Sequence, residues 1–362
     1  MPSTKRKKRK PTSTLLSRRQ SSIAIPSDKP LPSKLSRRLI RSHHTTQKRI
    51  HQALQQNDTA TATALTSTLA STGGLAAYQR ASVSGQSSKR GGDSSKVLVD
   101  WFLELNLNIN VSHNPQSDGS TTANNNTNTN DEHARPRPRL LEIGCLSPSN
   151  AIHAFFPRTR RTLMDLNSLH PEILKQDFMT FPVPAGPPAL PPTGITSTSN
   201  TAAAGEVCEE ACEEGYDIIS CSLVLNYVPT PAGRGDMLKR IARFAAHNLH
   251  RRTLHQQPVD NSNGTSSGNT TNGNGSDSGG NAVFPALFLV LPAPCVTNSR
   301  YLTEDHLQRI MASLGYELLR RKLSPKLAYY LWRYVGNGTG GTFKKVELRP
   351  GGKRNNFAIV VE

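Results

Sequence analysis

The sequence lacks the features that secreted and membrane proteins usually show. No apolar run approaches the roughly 18–20 residues that a membrane-spanning helix needs, and Met1 is followed by a run of Lys and Arg rather than by an apolar signal peptide. The five cysteines are an odd number without the spacing of a disulfide framework, which favours a reducing compartment. We therefore expect a protein that is neither secreted nor inserted in a membrane.

Acidic residues are nearly absent from the N-terminal end. Residues 1–50 hold 15 Lys and Arg against a single acid, so this stretch carries +14 of the net charge of +18. The run KRKKRK at 5–10 is typical of a nuclear or nucleolar import signal, and the other cations can neutralise phosphates without reading a base sequence. We interpret 1–50 as a basic, mostly disordered tail. A cationic helix is possible over 35–56, and the sequence offers no partner for His43 and His44.

Apolar residues are also few, at 35% of the chain, so we expect much of it to be unstructured. Three internal stretches are too polar or too biased in composition to offset the entropy of ordering them. They are a linker at 112–138 and two insertions at 183–205 and 255–281. The rest divides into an N-terminal helical extension at 51–111 and a folded domain at 139–362 that contains both insertions.

The remaining segments alternate between predicted strands and helices. Short apolar runs that end in Gly or Asp predict buried strands, and apolar residues at helical spacing follow Pro229 and the predicted N-cap Thr303. The predicted strands are 139–144, 160–166, 174–182, 216–225 and 284–292, followed by strand-like segments at 316–324, 328–334 and 357–361. This alternation predicts an α/β fold with helices on both faces of the sheet.

Acidic side chains follow the first three predicted strands, at the edge where ligands bind in such sheets. Gly144 allows the backbone to approach a ligand closely. Asp165 lies 21 residues beyond it, a spacing at which a carboxylate accepts hydrogen bonds from two ribose hydroxyls. Glu142 suits an amino-acid moiety, and Asp177 suits the exocyclic amine of adenine. The sequence therefore predicts an adenosine-binding site.

The turn after the first strand discriminates between adenosine cofactors. Dinucleotides are bound by G-x-G-x-x-G, whose glycines let the backbone approach the pyrophosphate. Here Gly144 stands alone, with Leu146 and Pro148 where further glycines would be. S-adenosylmethionine (SAM) has no phosphate and tolerates such a turn. A nucleotide-dependent oxidoreductase is therefore disfavoured, and a SAM-binding protein is favoured.

Four segments resemble, in this order, motifs I to IV of class I SAM-dependent methyltransferases. They read LLEIGCLSPSNA, LMDLNS, KQDFMTFP and YDIISCSLVLNYVP. The flanking segments at 73–102, 289–303 and 349–361 resemble more specifically the fungal 25S rRNA adenine-N(1) methyltransferases of the Bmt2 type. This resemblance implies a class I methyltransferase (Rossmann-like) sheet, SAM as cofactor with Gly144 and Asp165 at SAM-binding positions, and nucleolar methylation of N1 of one adenine in large-subunit rRNA.

Asn226 and Tyr227 follow the fourth predicted strand and are the candidate catalytic residues. N1 of adenine already carries a lone pair, so the enzyme need not remove a proton and must instead hold a flipped base in line with the methyl group. We predict that Asn226 accepts a hydrogen bond from the N6 amino group and that Tyr227 provides a stacking face. The alternative is that both residues only pack a strand-to-helix turn.

Two regions outside the predicted site bear on the substrate. The segment 73–102 is either a lid over SAM, a clamp on RNA or a helical subdomain that packs on the sheet. A basic zone near the C-terminus is the favoured precise RNA surface. Its members are Lys322, Lys326, Arg333, Lys344, Lys345, Arg349, Lys353 and Arg354.

The partners and the rival function complete the sequence-based predictions. We expect a monomer that acts on large-subunit rRNA, either free or within a pre-ribosomal particle. Cys208 and Cys212 have helix-turn spacing but no evident further ligands, so no metal site is expected. The main alternative function is a non-catalytic SAM-binding regulator, which the basic tail and the basic C-terminal zone disfavour.

Overall fold

The chain forms a seven-stranded sheet with helices on both faces and a helical extension at the N-terminal side. The computed structural model describes residues 31–85, 92–107, 138–168, 170–183, 215–254 and 283–362. The predicted import signal, the two insertions, the linker, Cys208 and Cys212 lie wholly or almost wholly outside these ranges. None of the described helices combines the length and the apolar character needed to cross a membrane.

The sheet has the strand order β3-β2-β1-β4-β5-β7-β6. The first five strands run parallel, and β7 is antiparallel to both β5 and β6. The bounds are β1 Leu140–Ile143, β2 Arg161–Asp165, β3 Leu174–Lys175, β4 Ile218–Ser222, β5 Ala286–Pro292, β6 Tyr316–Leu323 and β7 Leu327–Tyr334. The predicted α/β class is confirmed, and the strand arrangement is consistent with a class I methyltransferase.

The sheet has an apolar core on each face, and β5 contributes to both. Leu287, Leu289 and Leu291 lie in the larger core, whereas Phe288 and Val290 lie in the smaller one. This alternation follows from the two-residue period of a strand, which points successive side chains to opposite faces. Because both faces are covered, β5 is apolar throughout, as expected for a central strand of an α/β sheet.

Seven helices are present in the described ranges. The N-terminal side carries α1 Ser33–Gln55, α2 Thr59–Ser71, α3 Gly74–Gly85 and α4 Ser95–Glu104, and the remainder carries α5 Pro231–Leu254, α6 Pro294–Thr297 and α7 Glu304–Ser313. Thr303 is the N-cap of α7, since its hydroxyl accepts a hydrogen bond from the His306 amide at 3.1 Å. This predicted cap is confirmed.

The helical extension begins earlier than the sequence-based boundary at residue 51. The cationic helix predicted over 35–56 is α1, and it packs against α2 and α3. The buried side of α1 includes Ser36, His43 and Ala53. The charged residues stay on its exposed side, so packing of the uncharged side orders a segment whose composition alone indicated a disordered tail.

The last predicted strand, 357–361, is not a strand in the structure. Only Val361 forms an isolated antiparallel bridge, with Phe343. The other backbone groups of the segment bind elsewhere, because the Val360 amide donates to the Pro231 carbonyl at 3.0 Å and the Ala358 carbonyl accepts from Arg234. The C-terminal segment therefore ties the start of α5 to the rest of the domain.

Candidate active site at the carboxyl edge of the sheet

Gly144 directly follows β1 and has a left-handed backbone, with φ of +75°. A Cβ at this position would lie 2.2 Å from Cγ2 of Val224, in the segment after β4. The amides of Gly144 and Cys145 both donate to the Met164 carbonyl of β2, at 2.8 and 2.9 Å. Only glycine combines this φ with so close a contact, so the residue sets the tight turn at the edge of the sheet.

Glu142 lies near the end of β1 and is buried, with 5% of its surface exposed. Its Oε1 accepts a hydrogen bond from Asn150 Nδ2 at 2.7 Å, and its Oε2 contacts His153 Nε2. The other ring nitrogen of His153 lies 2.8 Å from the Pro148 carbonyl. Glu142 thus fixes the turn after Gly144. Its predicted contact with the amino-acid moiety of the cofactor stays a prediction.

Glu142 also belongs to the group that comes nearest to a metal-binding arrangement in the described part of the chain. Ligand atoms of Glu142, Cys145 and His153, all buried, lie within 4.8 Å of one another. Burial and the neighbouring Glu142 raise the pKa of the Cys145 thiol, which disfavours the thiolate that a metal requires. Glu142 and His153 already bind each other. The predicted lack of a metal site stays a prediction.

Asp165 ends β2, beside the turn that Gly144 forms. Its Oδ1 accepts from the Asn167 amide at 2.9 Å, and none of the described residues donates a hydrogen bond to Oδ2. Burial raises the pKa of the carboxyl group, and the Asn167 amide opposes that shift. A partly desolvated carboxylate with an oxygen unpartnered among the described residues suits hydrogen bonds from hydroxyls, and the predicted contact of Asp165 with the ribose stays a prediction.

Asp177 follows β3 and is exposed. Its Oδ1 accepts from the Met179 amide at 2.8 Å, which shapes the turn after the strand. Strand β3 is only two residues long and pairs Lys175 with Asp165 of β2. Asp177 therefore lies at the outer margin of the same edge, and its predicted contact with the adenine amine stays a prediction.

Asn226 and Tyr227 lie in the turn that leads from β4 to α5. The Oδ1 atom of Asn226 is buried and has no hydrogen-bond partner among the described residues. Burial raises the pKa of the Tyr227 phenol, and the neighbouring Asn226 side chain opposes that shift. A buried acceptor without a donor is costly and therefore marks a place where a ligand can bind. The two predicted catalytic residues are neighbours at this edge.

The ring of Tyr227 is stacked against a residue of α1 that sequence reasoning did not connect to the site. His44 lies parallel to Tyr227, with ring centroids 3.7 Å apart and planes at 15°. His43 stacks on Tyr78 of α3 at 4.4 Å, and Tyr78 meets His44 edge-on at 4.9 Å. The prediction that His43 and His44 have no partner is wrong, because their partners lie far along the chain.

These four rings place the helical extension over the site. Burial raises the pKa of the Tyr78 phenol, with smaller contributions from Tyr227 and the carboxylate of Asp165. Burial lowers the pKa of His44 to about 3, with further contributions from His43 and Lys48, so the imidazole is neutral at pH 7. The imidazole of His44 is neutral and planar, so it stacks on Tyr227 in the way that a nucleobase would.

The start of α4 is fastened to the same edge. Ser94 Oγ lies 2.7 Å from Ser222 Oγ at the end of β4. Asp93 accepts from the Ser95 amide at 2.8 Å and from the Ala151 amide at 2.5 Å, so it ties the first residue of this helix to the segment after β1. The described parts of 73–102 therefore pack on the sheet and also border the site.

Comparison with known proteins identifies relatives that cover most of this chain. The family model described as 25S rRNA (adenine(2142)-N(1))-methyltransferase, Bmt2, matches residues 63–187 and 207–359. A Schizosaccharomyces pombe protein named 25S rRNA adenine-N(1) methyltransferase is 31% identical over 79% of this chain and 76% of its own length. A Saccharomyces cerevisiae protein named 25S rRNA (adenine(2142)-N(1))-methyltransferase is 28% identical over 80% of this chain. The chain spans 60% of the length of that second relative.

The family match covers the elements that form the candidate site, from β1 to the turn after β4, the flanking segments 73–102 and 289–303, and the third flanking segment as far as residue 359. Helix α1 lies before the first matched residue. The carboxyl-edge geometry and the sequence similarity agree, and the chain belongs to the Bmt2 family of 25S rRNA adenine-N1 methyltransferases.

Proposed function

We propose that this protein transfers the methyl group of SAM to N1 of an adenine in 25S rRNA. Family membership supports a methyl donor and an rRNA substrate. The turn at Gly144 and the carboxylate of Asp165 favour SAM as that donor, because they suit an adenosine without phosphates. The observation that carries the proposal is the buried, unpartnered Oδ1 of Asn226 beside the ring of Tyr227.

Methyl transfer to N1 requires the protein mainly to position the adenine and the methyl donor. SAM supplies an activated methyl group on a sulfonium. The N1 lone pair forms the new C–N bond while the S–C bond breaks, and the bonding electrons leave with sulfur. The adenine ring gains positive charge, so an acceptor at N6–H stabilises the transition state. We assign the acceptor role to Asn226 Oδ1, which has no partner among the described residues, and the stacking face to Tyr227, once His44 vacates it.

Methyl transfer from labelled SAM to large-subunit rRNA tests this proposal. We expect the label in 1-methyladenosine with the wild-type chain. We expect its loss in Asp165→Ala, together with loss of SAM affinity. Asp236→Ala is the matched control, because Asp236 is an exposed carboxylate of α5 that pairs only with Lys239. SAM binding without transfer to free rRNA or to a pre-ribosomal particle would instead favour the regulator.

We also propose that the protein acts in the nucleus, at the nucleolus, as a monomer. The basic run at 5–10 supports the location. Imaging of a tagged chain with these six residues replaced by Gln and Ser tests it, since nucleolar signal that persists would contradict the role of the run. Light scattering on the purified chain tests the monomer.

A further inference from the structure

Helix α1 carries a continuous basic stripe on its exposed side. The stripe residues recur at intervals of three or four, which places them on one side of a helix, and they line a surface groove of about 680 Å³. They are Lys34, Arg37, Arg38, Arg41 and Arg49, with Ser42, Thr45 and Thr46 between them. From first to last, the stripe is about 22 Å long at 1.5 Å per residue.

None of these five cations has a carboxylate partner within the described residues, and α1 contains no acidic residue. The predicted rival surface near the C-terminus is less available. Arg349 donates to the carbonyls of Val296, Ser299 and Leu302, at 2.7–3.1 Å. Arg333 pairs with Glu317 at 2.6 Å. The stripe is therefore a concentration of cations whose charges are not paired with carboxylates of the described residues, and only Arg37 makes a side-chain hydrogen bond, to the Ser33 carbonyl of its own helix at 3.4 Å.

The other side of α1 indicates which polyanion fits the stripe. That side packs on α2 and α3, so α1 does not present the free apolar face with which amphipathic helices bind lipid. A stripe of Arg and Lys without interleaved aromatics suits a phosphate backbone. The same helix delivers His44 to Tyr227, where a flipped adenine would stack.

We propose that α1 binds the rRNA backbone through this stripe and yields the position of His44 on Tyr227 to the target adenine. At a centroid distance of 3.7 Å the two rings are in contact, so no base fits between them. His44 Nε2 and His43 Nδ1 are buried without hydrogen-bond partners among the described residues. Unsatisfied buried nitrogens weaken the closed arrangement. This inference rests on the proposed function, because it requires an RNA substrate.

Binding of a labelled large-subunit rRNA fragment to the full chain tests the stripe. We expect Arg38→Gln/Arg41→Gln/Arg49→Gln to bind about 10³-fold more weakly at about 0.05 M salt, and the slope of log K against log salt to fall by about 2 to 3, one increment per lost phosphate contact. The matched control is Gln52→Ala/Gln55→Ala, two exposed uncharged positions of α1. Unchanged affinity and slope would overturn the stripe and place the RNA surface elsewhere.

A second binding measurement tests the exchange at Tyr227. An RNA with 2-aminopurine in place of the target adenine reports base extrusion by fluorescence. We expect His44→Ala to reach half of the signal at about a fivefold lower RNA concentration, because the competing ring is gone. His44→Phe, which keeps a ring, should not. If His44→Ala gives a weaker signal while its thermal unfolding is unchanged, the exchange is overturned. His44 would then be a residue that positions the base.

Neither readout requires methyl transfer. If wild-type protein fails to methylate rRNA but both effects appear, the proposed reaction fails and the RNA surface stands. If 1-methyladenosine forms and neither effect appears, only the role of α1 is overturned.

Discussion

At the scale of single residues, Gly144 shows how closely the candidate site is built. Its φ of +75° and the 2.2 Å approach to Val224 leave no room for a side chain. The turn brings the end of β1 against the segment after β4, and both segments border the predicted cofactor position. Adding a methyl group at residue 144 should therefore affect both folding and ligand binding.

Gly144→Ala should lower the free energy of unfolding by about 2–4 kcal/mol, the combined cost of a left-handed non-glycine residue and of overpacking. SAM affinity should fall as well, because the turn must shift. Gly85→Ala is the control, since nothing lies within 4 Å of a Cβ at the end of α3, and it should change stability by at most about 1 kcal/mol. Denaturant unfolding and SAM titration check both. Equal effects of the two substitutions would contradict the packing argument.

Asn226→Ala should reduce turnover far more than SAM affinity. The expected loss in kcat is roughly 10- to 100-fold, because a hydrogen bond to a group that gains charge contributes about 1.5–3 kcal/mol. Asn226→Asp keeps an acceptor oxygen and should recover part of the rate. Single-turnover kinetics and SAM titration separate the two quantities. An equal loss in both would show that Asn226 only packs the turn.

At the scale of elements, the N-terminal helices determine how open the site is. Helix α1 reaches the edge of the sheet through His43 and His44, whereas α4 is anchored there by Asp93 and Ser94. Helix α4 is held by hydrogen bonds and by the burial of Leu98, Trp101 and Phe102 in the smaller core, whereas α1 meets the edge through stacked rings with unsatisfied nitrogens. Of the two helices, α1 is therefore the one that can leave its place at the lower cost.

The packing of α1 should weaken as the pH falls. Burial lowers the pKa of His44 from 6.5 to about 3 and also lowers that of His43. Below pH 6.5, His43 and His44 therefore bind more protons in the released helix than in the packed helix. The stabilisation of the packed helix is fully present above pH 6.5 and is lost as the pH falls towards 3. One histidine contributes a slope of at most about 1.4 kcal/mol per pH unit.

Hydrogen exchange of residues 33–55 between pH 7.5 and 5.5, corrected for the intrinsic exchange rate, measures this release. Wild-type α1 should lose protection as the pH falls. His44→Phe keeps the ring but cannot titrate, so its protection should depend less on pH, with His43 supplying the remainder. Burial also lowers the pKa of the nearby Lys48, with a further contribution from Arg234. Identical pH dependence in both chains would contradict the assignment to His44.

The sequence predicts the strands of the sheet well and the covering of the site poorly. Strands β1, β2 and β5 lie within two residues of their predicted bounds, because short apolar runs bounded by Gly, Asp or Pro have few alternatives. Strand β3 forms the short strand edge predicted within 174–182, since only Leu174 and Lys175 pair with β2. The stacking of His44 on Tyr227 has no local signal, because it depends on how α1 packs on α2 and α3.

At the scale of the whole molecule, the segments that gave the family resemblance hold one another in place. Arg349 binds carbonyls of the segment after β5, and the Asn355 amide donates to the Asn298 carbonyl at 2.9 Å. The C-terminal segment then reaches the turn after β4 through Arg234. These motifs are unusual in sequence because their contacts with one another are specific to the family, whereas the sheet that they support is shared with other class I methyltransferases.

Arg234 connects the C-terminal segment to the turn after β4, where the candidate catalytic residues lie. It is buried and donates to the carbonyls of Val228, Pro229 and Ala358, at 3.1, 3.4 and 2.7 Å. Arg234→Met should lower the free energy of unfolding by about 2–4 kcal/mol, since the buried Ala358 carbonyl and two partly buried carbonyls lose their donor. Methyl transfer should fall with it, because Val228 and Pro229 directly follow Tyr227.

Arg243→Met is the matched control, because Arg243 is exposed on the same helix α5 and should change stability by no more than about 0.5 kcal/mol. Denaturant unfolding and the labelled-SAM assay report both effects. If Arg234→Met unfolds like the wild type, the C-terminal segment does not brace the site.

The burial of the cysteines gives the protein an internal chemical reporter. Cys145, Cys221 and Cys295 are free and buried, and burial raises the pKa of Cys295 to about 12, opposed by the charges of Arg234 and Lys48. An alkylating reagent attacks only the accessible thiolate, so the closed molecule protects this thiol. Lys48 belongs to α1 and acts electrostatically on Cys295, so we expect release of the helix to change the alkylation rate of this thiol, which then reports the movement without an attached label.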